Sequence, residues 1–320
     1  SSVTGVQTCA LPILIHSFGY LNYKDDEAVE LLLSEVLQPS RLATFSEPGL
    51  SGIIQGLGLL KYSNRRNLML LFTEALRPWR LRKYSSREFS GMWFSVMQLG
   101  IRETVFLDAL AREAMHPDRL QSLSPKSLFS ILTSMSRLKY RHNDFLHAFI
   151  QEISTERRLK KIQDKDYPGY VWILGQLQYN NAEDVKKLMD SMLSTNRLGQ
   201  MPARTLASVF YGLAQCGVSH QNHIQALLKE IAKPGRLEEF ETHSLASLIH
   251  SVGQLELPIC ETVQAILDEG LKEERMLQYS EYGLVAIVHA LTNLRVTDHK
   301  TVKTVMNEVR KPHRIRDRKS

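Results

Sequence analysis

One residue in one register constrains this chain more than anything else in it. Arginine stands at positions 41, 80, 119, 158, 197, 236, 275 and 314, each 39 residues after the last, and Leu, Met or Ile follows it every time. Four residues after the first seven arginines come Phe45, Tyr84, Leu123, Ile162, Met201, Phe240 and Tyr279. The stretch RLATFSEPGLSGIIQGLGLLKY, Arg41 to Tyr62, returns as RLEEFETHSLASLIHSVGQLEL at Arg236, 195 residues and five periods later. A fixed period of this size means stacked supersecondary units, none of which can bury its apolar face alone.

Each unit reads as two helices. In the second copy Leu50, Ile53, Ile54 and Leu57 recur at helical spacing and predict a first helix over about 48–60. Leu68, Leu71, Phe72 and Ala75 predict a second over about 65–76. Proline follows the second helix at Pro39, Pro78, Pro117, Pro234 and Pro312 and is read as its stop signal. No copy shows the alternation of a strand. The expected fold is all-α, an α-solenoid of about eight 39-residue helix–turn–helix repeats in a single domain over residues 14–310. A basic tail, residues 311–320, follows it.

Composition bounds function loosely. With 320 residues and 43 % hydrophobic content the chain can bury a large core. No apolar run is long enough to span a bilayer, so no membrane partner is expected. Three cysteines, at 9, 216 and 260, make neither a disulfide framework nor a zinc ligand set. The net charge is +6, but the last eleven residues, RKPHRIRDRKS, hold six Lys/Arg and one Asp and so carry +5 of it. Charge alone therefore argues only weakly for nucleic acid. The opening residues 1–13 stand apart: GVQTCALPI, Gly5 to Ile13, resembles a translated sequencing adapter and lacks the charged start of a signal peptide. They are read as an artefact, with the native N-terminus expected to be missing.

Corresponding positions can be compared across the copies. Two first-helix columns are mostly small: Ser17, Gly56, Ser95, Ser134, Gly212, Ser251 and Ala290, and Gly19, Gly58, Ser136, Gly175, Ala214, Gly253 and Thr292. Glycine inside a helix costs roughly 1 kcal/mol against alanine, so its recurrence predicts close packing between successive first helices. Six residues before the arginine column stands glutamate, at 35, 74, 113, 152, 230, 269 and 308. This pairing reads as structural, with ion pairs Glu74–Arg80, Glu113–Arg119, Glu152–Arg158 and Glu230–Arg236 fastening the turns.

Three further first-helix columns suit a ligand. One holds His16, Gln55, Phe94, Thr133, Trp172, Tyr211, His250 and His289. Four residues later come Tyr20, Leu59, Gln98, Arg137, Gln176, Gln215, Gln254 and Asn293, on the same helix face. Seven residues before the first column lie Pro48, Arg87, Lys126, Lys165, Arg204, His243 and Tyr282, five of them basic. Rings can stack on bases, at roughly 1–3 kcal/mol each. Amides can bond base edges, and one cation per repeat can follow a phosphate backbone. The competing reading is a solvated helix face with aromatics wedged between repeats.

The pattern RLxxFSxxxLxxIIxxLGxLxY, with the helix LASVFYGLAQCGV at Leu206 to Val218, resembles the organellar octotricopeptide repeats and the related heptatricopeptide repeats of proteins with FAST-kinase-like or RAP domains. The resemblance covers residues 14 to about 310. It implies sequence-specific binding of single-stranded RNA in a mitochondrion or plastid, in RNA processing, stability, translation or mitoribosome assembly. Other RNA-processing or ribosomal proteins are then the implied partners. The alternative is a protein scaffold holding a peptide or helix in a concave groove. No glycine-rich phosphate loop, paired-cysteine motif or nucleophile elbow occurs, so neither an enzyme nor a cofactor is expected. His243, His250 and His289 have the donor type for zinc, but without carboxylate support they read as a binding face.

Overall fold

The structure, a computed structural model, describes residues 3–162, 166–193, 198–218 and 220–311. Every regular element among them is a helix. In chain order the long ones are α1 Val3–Tyr20, α2 Asp26–Val36, α3 Glu47–Leu60, α4 Arg65–Ala75, α5 Ser86–Gln98, α6 Thr104–Met115, α7 Pro125–Leu138, α8 Asn143–Ile153, α9 Tyr167–Gln176, α10 Ala182–Leu193, α11 Ala203–Cys216, α12 Gln221–Ile231, α13 Thr242–Gln254, α14 Glu261–Gly270, α15 Glu281–Asn293 and α16 His299–Val309. Odd-numbered helices are the first of each pair and even-numbered ones the second. None among the described residues is long and apolar enough to cross a membrane.

Local chemistry sets these boundaries, and it does so in register. Ser46, Ser85, Ser124 and Ser280 cap α3, α5, α7 and α15 through their side-chain oxygens, and Ser85 with Glu88 forms a reciprocal capping box. Asp25, Asn64 and Asp298 do the same for α2, α4 and α16. At the other end of the first helices the backbone turns left-handed. Asn22, Lys61, Gly100, Lys139, Gln178, Gly217, Glu256 and Arg295, each 39 residues from the next, all have φ between 49° and 66°. The amide of the residue after the left-handed one then bonds back, as in Tyr62 N–H to the Leu57 carbonyl at 3.0 Å and Val296 N–H to the Leu291 carbonyl at 3.0 Å.

The chain forms two compact units, residues 1–152 and 153–320. In the first, α1 packs on α3, α3 on α5 and α5 on α7. In the second, α9 packs on α11, α11 on α13 and α13 on α15. The small columns form the seams. A Cβ on Gly56 would lie 2.4 Å from the Ile15 carbonyl oxygen, one on Gly212 would lie 2.5 Å from that of Val171, and one on Gly253 would lie 2.5 Å from the Ala290 Cα. Only hydrogen allows backbones this close. Behind the seams the second helices bury Leu68, Leu71 and Phe72 in the first unit and Val185, Leu188 and Leu227 in the second.

A third element was not expected. Short helices Pro39–Leu42, Pro78–Leu81, Pro117–Ser122, Glu156–Leu159 and Glu273–Gln278 follow the second helices. Pro39, Pro78 and Pro117 open these turns as well as ending what precedes them. Proline suits the first helical position, where its missing N–H would have no partner anyway. Pro234 instead precedes irregular turns containing Gly235 at φ +76°. Pro312 and residues 312–320 of the basic tail lie outside the described residues.

Candidate nucleic-acid interface

Arg41, Arg80, Arg119, Arg158 and Arg275 sit in the short helices and Arg236 in the turns after Pro234, and the column is consumed by structure. Arg80 is 2 % exposed. Its Nε donates to Glu74 Oε1 at 2.9 Å, Nη1 to the Phe45 carbonyl at 2.9 Å and Nη2 to the Ala43 carbonyl at 2.8 Å. Arg119 repeats this with Glu113 at 3.1 Å, the Tyr84 carbonyl at 2.5 Å and the Leu81 carbonyl at 2.8 Å. Arg275 does so with Glu269 at 3.0 Å and the Phe240 carbonyl at 2.7 Å. Arg236 lies 3.6 Å from Glu230 and donates to the Met201 carbonyl. Arg158 is buried and Glu152 half-buried, while Arg197 and Arg314 lie outside the described residues. Arg80, Arg119, Arg236 and Arg275 thus each join their own glutamate to a carbonyl of the preceding turn, a geometry that the planar fork matches, and Arg41 pairs with Glu35 at 2.8 Å.

A second cation escaped the sequence reading. Arg77, Lys233, Lys272 and Lys311 lie 2.9, 2.5, 2.5 and 2.5 Å from Glu74, Glu230, Glu269 and Glu308. The spacing of three after each glutamate would have marked it. At Glu269 burial opposes ionisation, but hydrogen bonds from Lys272 and Arg275 outweigh it and hold the carboxyl below its usual range.

The ligand columns converge in the second unit. Trp172 and Gln176 from α9, Arg204 and Tyr211 from α11, and His243 from α13 line one cleft. Its floor is Ala207, Ser208, Ser244 and Ser247, and no carboxylate lines it. Trp172 is 40 % exposed, Tyr211 half-buried, and Arg204 and His243 exposed. Gln176 Nε2 donates to the Tyr211 hydroxyl at 3.4 Å, so the amide and ring meet across the helix seam. Lys165, the next cation of that column, lies outside the described residues. Ser208 and Ser247 belong to another column of small residues that sequence reasoning passed over: Gly52, Gly91, Ser130, Gly169, Ser208, Ser247 and Ala286, three residues before the ring column. Large side chains there would fill the depression between the rings.

Further along the same face the amides turn inward. Gln215 Nε2 donates to Gln254 Oε1 at 2.9 Å, and Gln254 Nε2 to the Ala214 carbonyl at 3.1 Å. These bonds tie α11 to α13. His250 and His289 rings lie 5.5 Å apart, and the Asn293 amide is 3.4 Å from His289 Nδ1. Burial lowers the pKa of His250, His289 nearby adds to that, and a hydrogen bond to the Ala286 carbonyl opposes it. Its ring is therefore held toward the neutral form, a stacking surface more than a cation.

In the first unit His16, Gln55 and Arg87 share a depression with Pro48 and Glu88. Gln55 Nε2 donates to Ser51 Oγ at 2.7 Å, and a Cβ on Gly91 would come 2.6 Å from it. Gln55 therefore fills the space that Gly91 leaves open. Phe94, Gln98, Lys126, Thr133 and Arg137 lie outside that depression. Phe94, Lys126 and Arg137 are exposed, Gln98 is half-buried, and Thr133 bonds back to the Phe129 carbonyl at 2.8 Å.

Among the described residues no group of three or more His, Cys, Asp or Glu could hold a metal ion. Burial pushes the Cys216 thiol up to about 12 and leaves it inert. No known protein family matches the chain, and no curated protein does.

Proposed function

We propose that this chain is an α-solenoid of eight 39-residue helix–turn–helix repeats that binds single-stranded RNA along its first-helix face. The cleft lined by Trp172, Gln176, Arg204, Tyr211 and His243 carries the reading. Two rings, an amide, a guanidinium and an imidazole meet on three successive first helices with no carboxylate among them. Stacking, edge recognition and phosphate neutralisation are the three interactions single-stranded nucleic acid asks for. The resemblance to organellar repeat proteins supports a role in a mitochondrion or plastid, in RNA processing, stability, translation or ribosome assembly. The chain's part in that is binding, with no chemical step of its own.

A protein scaffold is the second reading. One observation favours it: Gln215 and Gln254 bond each other instead of facing solvent unpaired. Crosslinking the chain to a random single-stranded RNA pool and sequencing the adducts separates the two. RNA binding gives adducts at Trp172 or Tyr211 with an enriched motif. A scaffold gives adducts confined to the basic tail and no motif.

A further inference from the structure

Positive charge is concentrated a second time, inside the fold. RPWRLRKYSSR, Arg77 to Arg87, holds five Lys/Arg and no Asp or Glu. The same stretch holds two Lys/Arg and three Glu in the copy at Lys233 to His243, and again at Lys272 to Tyr282. The segment also carries Trp79, where other copies have Ser40, Asp118, Arg157, Gly235 and Glu274.

The fold uses only some of these groups. Arg80 is buried on Glu74, and Arg77 lies 2.9 Å from the same carboxylate. Arg82, Lys83 and Arg87 are exposed and pair with no carboxylate among the described residues. Glu88, the next acid along the chain, turns back to the Ser85 N–H at 2.7 Å. The Trp79 ring lies over the buried Arg80 guanidinium, 4.3 Å from ring centroid to Cζ, and Lys83 Nζ is 4.9 Å from that centroid. Trp79 still keeps 46 % of its surface open. Arg119 is buried with Asp118 in the place of the tryptophan, so burying the arginine does not require an indole.

We infer that Trp79, Arg82 and Lys83 form a second contact site for single-stranded RNA, on the rim where the short helix Pro78–Leu81 leads into α5. The inference rests on the reading that the chain binds RNA and adds a site outside the first-helix columns. An indole with open surface takes a stacked base, and two adjacent cations take the phosphates beside it. An acidic peptide would satisfy the cations and leave the ring without a role. Arg87, in the first turn of α5, continues the cations toward the ligand face. Stacking and phosphate contact are both tolerant of sequence, so this site adds affinity without base preference.

Tryptophan emission of the full chain tests this. Trp172→Phe leaves Trp79 as the exposed indole, since Trp93 is fully buried. A uridine oligomer should quench its emission saturably, and adding Trp79→Phe should abolish the quench. Inorganic polyphosphate, which has no bases, should not quench. In the otherwise unchanged chain, Arg82→Gln with Lys83→Gln should weaken binding to every RNA alike. It should also flatten the log–log salt slope by about 1.4, two phosphate contacts at about 0.7 each. Both side chains are exposed, so the variant keeps its fold, and circular dichroism provides the control. No quench, a quench that polyphosphate reproduces, or an unchanged slope overturns the inference. So does an emission shift with anionic lipid vesicles but not with RNA. Base preference is read in the same titrations and belongs to the cleft. Preference kept with an unchanged slope overturns the rim alone, and preference absent with a flattened slope upholds the rim and defeats the cleft.

Discussion

Arg119 reaches back 35 residues to donate Nη1 to the Tyr84 carbonyl at 2.5 Å. The same guanidinium holds Glu113 at 3.1 Å and lies over the Phe89 ring, 5.0 Å from its centroid. Arg119→Ala would strand a nearly buried carboxylate and at least two carbonyls. Breaking such a pair from one side costs about 3 kcal/mol, because the remaining charge stays desolvated. Urea unfolding should show that loss, while RNA affinity per folded molecule stays within error of the parent. Lost RNA binding at unchanged stability would make Arg119 a ligand contact instead.

The left-handed residues after the first helices give a prediction of opposite signs. Lys139 holds φ +55° and Gly100 φ +64°. A side chain with a Cβ resists this conformation by about 1 kcal/mol or more, whereas glycine adopts it freely at some cost in unfolded-state entropy. Lys139→Gly should therefore stabilise the fold by about 0.5 kcal/mol. Gly100→Ala should destabilise it by about 1 kcal/mol, although a Cβ there meets nothing within 4 Å. Equal signs in denaturant titrations would sink the conformational account.

The 39-residue register was legible because several columns encode one physical demand. Glycine, serine and alanine recur where backbones meet, at Gly19 with Gly56 and at Gly175 with Gly212. Glutamate and arginine recur six apart where Glu74 and Arg80 lie 2.9 Å apart in the structure. The left-handed column was not legible, since Lys61, Gln178, Glu256 and Arg295 share no side-chain chemistry and the constraint lies in the backbone alone. The short helices that open on Pro39, Pro78 and Pro117 escaped because proline ends one helix and opens another with the same residue. The bond between Gln215 and Gln254 was not legible, because a sequence shows an amide on a helix face but not its neighbour 39 residues on. Division into two compact units left no mark in the repeat pattern.

Acid should loosen the second unit through Glu269. Its carboxyl is held below the ordinary value of 4.5, against the effect of its own burial, by Lys272 and Arg275. A carboxyl with a lower folded than unfolded pKa stabilises the fold fully above the unfolded value and loses that contribution as pH falls through the folded one. Glu269→Gln should cost about 2 kcal/mol at neutral pH, the worth of hydrogen bonds to a charged group. The gap between parent and variant should close as pH falls below 4.5 and through the lowered folded value. A constant gap across that range would show that the charge of Glu269 contributes nothing.

In the proposed function the cleft on α9, α11 and α13 reads a base. Fluorescence anisotropy on short single-stranded RNAs differing at one position, over a salt series, tests it most directly. Tyr211→Ala and Trp172→Ala should each weaken binding by roughly 1–3 kcal/mol to RNAs carrying the preferred base and much less to the others. Arg204→Ala should weaken all of them alike and flatten the log–log salt slope by about 0.7, one phosphate contact on a single strand. If the Tyr211 and Trp172 variants match the parent on every RNA, and binding follows the basic tail alone, the cleft does not read RNA.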